Sequence, residues 1–201
     1  MKIVLATNNI GKLEEFNDLF HALKIEFISQ AKGNVPEIAE TGTTFVENAL
    51  LKAKHASLYT SLPVLADDSG LSVDALNGAP GVYSARYAGE KSNAQEKIQK
   101  LLNELKNVPA AKRTARYHCA LVLLRYKTLK EPIIVETSWE GQILFEPRGS
   151  QGFGYDPIFY IPELNCSVAE LNRDKKNQLS HRGKALRKLI QIITENHLEK
   201  E

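Results

Sequence analysis

The sequence predicts an α/β protein whose strands share one sheet flanked by helices. Three observations support this prediction: a short apolar run at residues 3–6, a segment of helical periodicity directly after it, and later apolar runs at residues 62–66 and 115–124. The chain has 201 residues, of which 43% are hydrophobic, and it can bury a core without disulfides. This length suits one large domain or two lobes with a common core, and we take residues 1–201 as a single domain.

Composition excludes several classes of protein. Cys119 and Cys166 form no CxxC pair and the histidines are scattered, so neither a disulfide framework nor a zinc site is indicated. The formal net charge of +2 gives no general attraction to nucleic acid. The first apolar run is too short for a signal peptide, and no later run approaches a membrane span. We therefore expect a soluble, cytoplasmic protein whose function depends on local sites.

The first strand leads through a polar turn into a helix. After residues 3–6, apolar side chains recur at helical spacing: Leu13, Phe16, Leu19, Phe20 and Leu23. The turn between them comprises Thr7, Asn8, Asn9, Ile10, Gly11 and Lys12. Free N–H groups at the helix start, together with the Lys12 ammonium, favour an anion there, although a polar turn with one solvated lysine explains the same residues. The turn is not a Walker A loop, because Ala6 and Leu13 occupy the positions of its first glycine and its Ser/Thr.

A second helix begins with a capping box formed by Thr44 and Glu47, before an alanine-rich segment. Glu47 therefore has a structural role, although metal binding by it stays open. The preceding loop carries Glu37 and Glu40, and the helix can return the chain toward the strand at residues 62–66. Glu40 is thus a candidate metal ligand.

Two adjacent carboxylates, Asp67 and Asp68, follow the apolar run at residues 62–66, and we expect the strand to end there in a turn made by Ser69 and Gly70. Side chains alternate along an extended chain, so the two carboxylates should point to opposite sides and have different roles. A carboxylate beside apolar residues needs donors or a cation. On these residues alone, a capped turn and a metal site are equally good explanations.

The middle of the chain supplies further elements of the same sheet system. Residues 78–81 form a turn, and residues 83–87 carry an arginine between aromatic residues. We expect a surface helix at residues 94–106 and strands at residues 115–124 and 132–139.

A glycine-rich loop follows, in which Phe153 lies between Gly152 and Gly154, with Tyr155 and Asp156 directly after. Such a loop lets the backbone approach a flat ligand while an aromatic ring stacks on it. A tight hairpin connection would use the same residues.

Positive charge concentrates near the C-terminus, at Lys176 and at His181 and Arg182, where a helix begins. A basic helix face is usually only solvated, but a His-Arg pair at a helix start can donate hydrogen bonds to a carbonyl or a phosphate. With Lys12 and the carboxylates, these groups are the parts of a metal-assisted nucleotide site, for which all-oxygen ligands indicate Mg²⁺.

In its motif residues and their order along the chain, the sequence resembles the inosine triphosphate pyrophosphatase family, whose members act on noncanonical purine nucleoside triphosphates. The matching segments span nearly the whole chain: residues 7–9 with Lys12, 44–49, 66–71, 78–81 with 84–86, 152–157 and 180–183. Each motif alone is weak, whereas all of them in this order are specific.

The resemblance implies a Mg²⁺-dependent homodimer with an elongated, two-lobed α/β fold, in which a mixed sheet has flanking helices and the active site lies in the cleft between the lobes. It implies hydrolysis of ITP, dITP and XTP to the monophosphate and pyrophosphate, which removes them from the nucleotide pool. Glu40 and Asp68 would hold the metal, Asp68 would also be the general base, and Ser69 would contact substrate. Phosphate contacts would come from Thr7, Asn8, Asn9, Ile10, Gly11 and Lys12. The remaining binding-site contacts, chiefly to the base, would come from Phe153, Gly154, Tyr155, Asp156, Lys176, His181 and Arg182.

In the implied mechanism, Asp68 takes a proton from water that attacks the α-phosphorus, and pyrophosphate leaves beside the metal and Lys12. His181 and Arg182 would select the purine 6-oxo group, because the amine of adenine leaves their hydrogens unpaired, while the rejection of GTP stays unexplained. Three alternatives stay open: a regulatory module that binds nucleotides without chemistry, an enzyme for other nucleotides such as modified pyrimidine triphosphates, and a phosphomonoesterase that releases orthophosphate. Asp67 is either structural or a second metal ligand.

Overall fold

The computed structural model describes residues 2–20, 25–124 and 131–195. The described helices are α1 (Ile10–Phe20), α2 (Phe45–Ser57), α3 (Ala94–Glu104), α4 (Arg173–Leu179) and α5 (His181–Glu195). The described strands are β1 (Lys2–Leu5), β2 (Glu26–Ser29), β3 (Val64–Val73), β4 (Thr114–Leu124), β5 (Ile133–Ile143), β6 (Phe159–Ile161) and β7 (Cys166–Ser167). The α/β class is confirmed, while Leu23 of the predicted first helix lies outside the described residues. None of the helices within these ranges has the length and apolar character needed to cross a membrane.

The strands form one mixed sheet in the order β2-β1-β3-β4-β5-β6-β7. Strand β1 runs parallel to both β2 and β3, whereas β6 runs antiparallel to both β5 and β7. Parallel neighbours need crossover connections, and the helical segments between β1, β2 and β3 supply them.

Strand β3 corrects one prediction. The expected turn at Ser69 and Gly70 is absent, because β3 continues through both residues to Val73. Leu71 and Val73 are fully buried, so the apolar pattern resumes after the two carboxylates, and a strand tolerates Ser and Gly where its neighbours bury the flanking residues. Asp67 and Asp68 therefore lie inside a strand.

The chain divides into two compact units. The first unit comprises Met1–Asp68, Cys119–Thr137 and Arg182–Glu201, and the second comprises Ser69–His118 and Ser138–His181. The divisions fall inside β3, β4 and β5 and after the first residue of α5, so four elements contribute residues to both units.

In the first unit, alternate side chains of the strands face two different apolar layers. One layer joins α1 and α5 to strand residues that include Ile3, Leu5, Leu65 and Leu121. The other joins the alanines of α2 to Val4, Val64, Ala66, Ala120 and Val122. Strands covered on both faces have continuous apolar sequences, which explains the unbroken runs at residues 3–6 and 64–66.

The second unit has its own core around Leu71, Leu101, Trp139 and Phe159. Helix α3 packs there after a capping box in which Asn93 and Glu96 exchange hydrogen bonds, and so its start is fixed locally. The buried Arg113 fixes its end, since the guanidinium donates to the carbonyl oxygen of Leu105 at 3.0 Å.

Candidate active site

Asp67 is a buried carboxylate held by two cations. It is fully buried on the side of β3 that Leu65 shares, where α1 and α5 pack. The Lys12 ammonium of α1 donates to Oδ1 at 2.5 Å, and the Arg182 Nε of α5 donates to Oδ2 at 2.7 Å. Burial would raise the pKa of Asp67, but these two positive charges hold that pKa well below its usual range. Asp67 is therefore ionised and fixes the direction of Lys12.

Arg182 lies between two carboxylates. Its Nη1 donates to Glu15 Oε2 at 2.5 Å, in addition to the bond from Nε to Asp67. Burial would lower the pKa of Arg182, yet the two carboxylates raise it. The predicted role of Arg182 at the base stays a prediction, and its hydrogen bonds to Glu15 and Asp67 join α5 to α1 and β3.

Asp68 points to the opposite side of β3 and meets a different helix. Lys52 of α2 donates to Asp68 Oδ1 at 2.7 Å, to Glu40 Oε1 at 2.8 Å and to the Asp67 carbonyl oxygen at 2.9 Å. The second carboxylate oxygen of Asp68, Oδ2, is buried without a hydrogen-bond partner in the described part of the chain. Burial raises the pKa of Asp68 against the lowering effect of Lys52. The prediction that the two adjacent carboxylates point to opposite sides is confirmed.

Lys52 was not among the predicted site residues, although the sequence carries a signal for it. It lies three residues after Ala49, one before Ala53 and four before Ala56, and these alanines form the buried face of α2. A lysine beside such a face must find a carboxylate, since its side chain is only 13% exposed. Burial would lower the pKa of Lys52, but Asp68 and Glu40 raise it, and the ammonium stays charged.

The polar turn after β1 is built as the start of a helix. The Asn9 side-chain oxygen accepts from the backbone N–H of Lys12 at 3.1 Å, so Asn9 caps α1, with Ile10 and Gly11 in its first turn. The backbone N–H of Asn9 donates to Thr7 Oγ1 at 3.1 Å. Asn8 donates a short hydrogen bond to Glu37. The turn therefore presents a helix N-terminus with Lys12 beside it, as the anion-site prediction requires.

We call one group of buried and half-buried charged side chains of the first unit the carboxylate cluster: Lys12, Glu15, Glu40, Lys52, Asp67, Asp68 and Arg182. Its members comprise four carboxylates and three cations joined by ion pairs. One oxygen of Asp68 is buried without a hydrogen-bond partner in the described part of the chain, and the other accepts from the Lys52 ammonium that also binds Glu40.

These carboxylates fit Mg²⁺. No group of three His, Cys, Asp or Glu side chains in the described ranges could hold a metal ion alone. Mg²⁺ commonly uses only one or two carboxylates and keeps water and phosphate as its other ligands, which Glu40 and Asp68 can satisfy. Glu47 instead accepts from the backbone N–H groups of Thr43 and Thr44, at 2.7 and 3.2 Å, and performs its capping role.

The second unit holds a different group, which we call the aromatic cluster: Tyr117, Phe153, Asp156, Lys176 and His181. Its only carboxylate, Asp156, accepts from the Phe153 backbone N–H and from the Lys176 ammonium, both at 2.9 Å. The Tyr117 hydroxyl donates to the same carboxylate at 3.1 Å. Gly152 has φ +78°, and a Cβ there would lie 2.1 Å from Asp156 Oδ2, so only glycine permits this loop.

Rings surround this carboxylate. Phe153 is 39% exposed, and the Lys176 ammonium lies 4.4 Å from the centre of its ring. Tyr155 is buried, and its hydroxyl donates to the Ser84 carbonyl oxygen at 3.0 Å, while its predicted substrate contact stays a prediction. The Phe153 ring is partly exposed, as stacking on a flat ligand requires.

Comparisons with known proteins cover nearly the whole chain. A model described as the Ham1 family matches residues 3–192. The dITP/XTP pyrophosphatase of Vibrio parahaemolyticus is 58% identical over 189 residues, which are 94% of each protein. The dITP/XTP pyrophosphatase of Coxiella burnetii is 50% identical over 198 residues, which are 98% of this chain and 99% of that protein.

Solved structures agree with the fold. The structure of a HAM1 protein from Coxiella burnetii superposes with a TM-score of 0.90 at 50% identity, covering 97% of this chain and 99% of the other. The Staphylococcus aureus Ham1 protein gives a TM-score of 0.84 at 39% identity, covering 98% of this chain and 100% of the other. The mixed, open sheet with flanking helices is common to these structures.

Proposed function

The chain belongs to the Ham1 family, and from that membership we propose that it hydrolyses ITP, dITP and XTP to the nucleoside monophosphate and pyrophosphate. Relatives named dITP/XTP pyrophosphatase are 50 to 58% identical to it over nearly their full length. The single structural observation that carries the proposal is the surroundings of Asp68. This carboxylate has one oxygen on the Lys52 ammonium and the other buried without a partner in the described ranges.

Asp68 suits the role of general base toward water. The base must be a carboxylate that accepts a proton, and burial raises the pKa of Asp68, which strengthens its basicity. Its unpartnered oxygen is a position from which it can take a proton from water attacking the α-phosphorus. The proton goes to Asp68, the new P–O bond forms at the α-phosphorus, and the bond to the β-phosphate oxygen breaks to release pyrophosphate.

Glu40 and Asp68 are the residues that would hold Mg²⁺. When bound there, Mg²⁺ neutralises phosphate charge and makes bound water more acidic. The Lys52 ammonium supports this choice, because it pairs with both carboxylates and a cation is therefore already held between them.

Lys12 and the helix start at residues 7–12 suit the phosphates. Asp67 holds the Lys12 ammonium at 2.5 Å, so the positive charge is oriented before substrate binds. Pre-oriented charge stabilises the leaving pyrophosphate without reorganisation at the moment of reaction. Ser69, directly after Asp68 in β3, keeps its predicted substrate contact as part of the proposal.

The aromatic cluster suits the purine base. Phe153 offers a partly exposed ring for stacking, and Gly154 has φ +64°, which lets the loop backbone turn beside it. His181 can donate to the purine 6-oxo group, with Arg182 as the second proposed donor. Asp156 and Lys176 support this recognition through their mutual hydrogen bond.

The wider setting is part of the proposal. We assign one functional domain to residues 1–201, since β3, β4 and β5 each run through both compact units. We also propose a cytoplasmic homodimer whose substrate is a free nucleotide and which binds neither nucleic acid nor membrane. Gel filtration with light scattering tests the dimer.

Product analysis tests the reaction. The purified protein is incubated with ITP and Mg²⁺, and the phosphorus products are identified by ³¹P NMR. We expect IMP and pyrophosphate. Release of orthophosphate would indicate a phosphomonoesterase, and ITP binding without turnover would indicate a regulatory module.

A rate comparison tests the substrate class. We expect ITP, dITP and XTP to react faster than ATP, GTP and dUTP at equal concentration. Faster turnover of dUTP or another pyrimidine triphosphate would contradict the purine assignment. The same series without Mg²⁺, in the presence of EDTA, should give no detectable product.

A further inference from the structure

We propose that Tyr117 is a positioning residue for base recognition, because its ring orients the imidazole of His181 and its hydroxyl orients the carboxylate of Asp156. The inference rests on the proposed function, in which His181 donates to the purine 6-oxo group. Tyr117 lies in β4 and belongs to no motif of the sequence analysis. It nevertheless contacts two members of the aromatic cluster, Asp156 through its hydroxyl and His181 through its ring.

The ring of Tyr117 lies between two other rings. Its centre is 4.7 Å from that of His181, and the two planes differ by 14°, so the rings are stacked. The centre of the Phe159 ring lies 4.4 Å from that of Tyr117, at a plane angle of 35°. Phe159 is fully buried in the core of the second unit, so Tyr117 has an immobile support. The core therefore fixes the plane of the Tyr117 ring, and stacking on Tyr117 fixes the plane of the His181 ring.

The hydroxyl of Tyr117 reaches the loop that carries Phe153. It donates to Asp156 Oδ1 at 3.1 Å, whereas Asp156 Oδ2 accepts from the Phe153 backbone and the Lys176 ammonium. Both Asp156 oxygens are thus occupied by protein donors, and the residue is only 4% exposed. Asp156 therefore positions Phe153 and Lys176 through Oδ2, while Tyr117 holds its other oxygen, Oδ1.

This arrangement has a consequence for selectivity. A hydrogen bond weakens steeply when its donor turns away from the acceptor, so a donor on a fixed ring distinguishes a carbonyl from an amine better than a donor on a rotating ring. Stacking on Tyr117 restricts the rotation of the His181 ring about its side-chain bonds. Loss of this restriction should weaken ITP recognition while leaving ATP, which has no 6-oxo group, unaffected.

A purely structural role for Tyr117 predicts different results. If the ring only filled the core, its replacement would lower stability, and any loss of activity would be equal for ITP and ATP. Selectivity and the separation of KM from kcat therefore distinguish the two roles.

The experiment compares Tyr117→Leu, Tyr117→Phe and the matched control Tyr160→Phe. Tyr160 is a tyrosine of β6 whose hydroxyl donates to Asn165 Oδ1 at 2.7 Å outside the cluster. We expect Tyr117→Leu to lower kcat/KM for ITP about tenfold through KM, with kcat and the ATP rate nearly unchanged. Tyr117→Phe keeps the ring and should lose about threefold, since it removes only one hydrogen bond. Tyr160→Phe should match the wild type.

Either of two kinetic results would overturn the proposal. One is a folded Tyr117→Leu variant whose kcat/KM for ITP stays within about twofold of the wild type. The other is an equal loss with ITP and ATP. Folding of each variant is checked by its thermal unfolding midpoint, and if Tyr117→Leu does not fold, Tyr117→Phe and the spectra described next decide the question.

NMR tests the ring stack without reference to activity. In the wild type, the Cε1 proton of His181, assigned with His181→Gln, should be shifted upfield by the Tyr117 ring. Tyr117→Phe should keep this shift and Tyr117→Leu should remove it. An unshifted His181 resonance in the wild type contradicts the proposal. A wild type that does not hydrolyse ITP contradicts the proposed function, whereas the His181 shift still decides whether Tyr117 orients the imidazole.

Discussion

The carboxylate cluster and the aromatic cluster hold their polar groups by opposite means. In the first unit, charge is held by charge: Asp67 pairs with two cations, and Asp68 shares Lys52 with Glu40. In the second unit, the carboxylate of Asp156 accepts from three donors, and the neighbouring ring of Tyr117 packs in the hydrophobic core.

The two clusters differ in the hydrogen bonds of their carboxylates. Asp68 has one buried oxygen without a hydrogen-bond partner in the described chain, which is a position for a further ligand. Asp156 accepts from protein donors at both of its oxygens. The first arrangement suits chemistry on a charged triphosphate, and the second suits recognition of a neutral ring.

Asp68→Asn should have the largest effect, because it removes the proposed general base from the carboxylate cluster. The amide keeps the shape but cannot accept the proton, so we expect kcat for ITP to fall about 10³-fold with the fold retained. Pyrophosphate release and circular dichroism measure the two properties. Asp174→Asn, an exposed carboxylate in α4, is the control and should behave as the wild type. A folded Asp68→Asn enzyme with near-normal kcat would show that the base lies elsewhere.

Lys52→Met tests the counter-ion between the two proposed metal ligands. The change leaves Glu40 and Asp68 facing each other, and removing one partner of a buried ion pair should cost about 3 kcal/mol of the free energy of unfolding. Urea unfolding with EDTA and with Mg²⁺ measures this, and we expect Mg²⁺ to restore part of the loss. Lys54→Met, an exposed lysine of the same helix, is the control. Equal stability of both variants in EDTA would contradict the assigned role.

Lys12→Ala tests the proposed phosphate site and should have a smaller effect on turnover than Asp68→Asn. Asp67 keeps its bond to Arg182, so the protein should stay folded while kcat/KM for ITP falls about 100-fold. Steady-state kinetics with ITP measures the loss. Lys32→Ala removes an exposed lysine of the same unit and should leave the kinetics unchanged. Unchanged kinetics in Lys12→Ala would mean that residues 7–12 do not contact phosphate.

Phe153→Ala should have the smallest effect and tests the proposed stacking of the base in the aromatic cluster. Loss of one stacked ring should raise KM for ITP about tenfold and leave kcat nearly unchanged. Phe145→Ala, which removes a more exposed phenylalanine of the same unit, is the control. A kcat effect as large as the KM effect would show that Phe153 takes part in the chemical step. It would contradict the assignment of chemistry to the carboxylate cluster and of base recognition to the aromatic cluster.

Local patterns predicted much of the fold and part of the site. The capping box at Thr44 and Glu47, the helix after residues 3–6 and the strand after Thr114 agree with the structure. Each depends on neighbouring residues, because caps and periodicity act within a few positions. The opposite directions of Asp67 and Asp68 also follow from the two-residue period of a strand, whether or not a turn comes next.

The α/β class and the opposite directions of the two carboxylates follow from local sequence patterns. The folded structure shows that β3 continues past them, that Lys52 and Arg182 pair with them, and that the ring of Tyr117 stacks on that of His181. The bond between Asp67 and Arg182 joins residues 115 positions apart, and that between Tyr117 and Asp156 joins residues 39 apart. Charge pairing and ring packing act through space, and a local sequence pattern does not specify which distant residues the folded chain brings together.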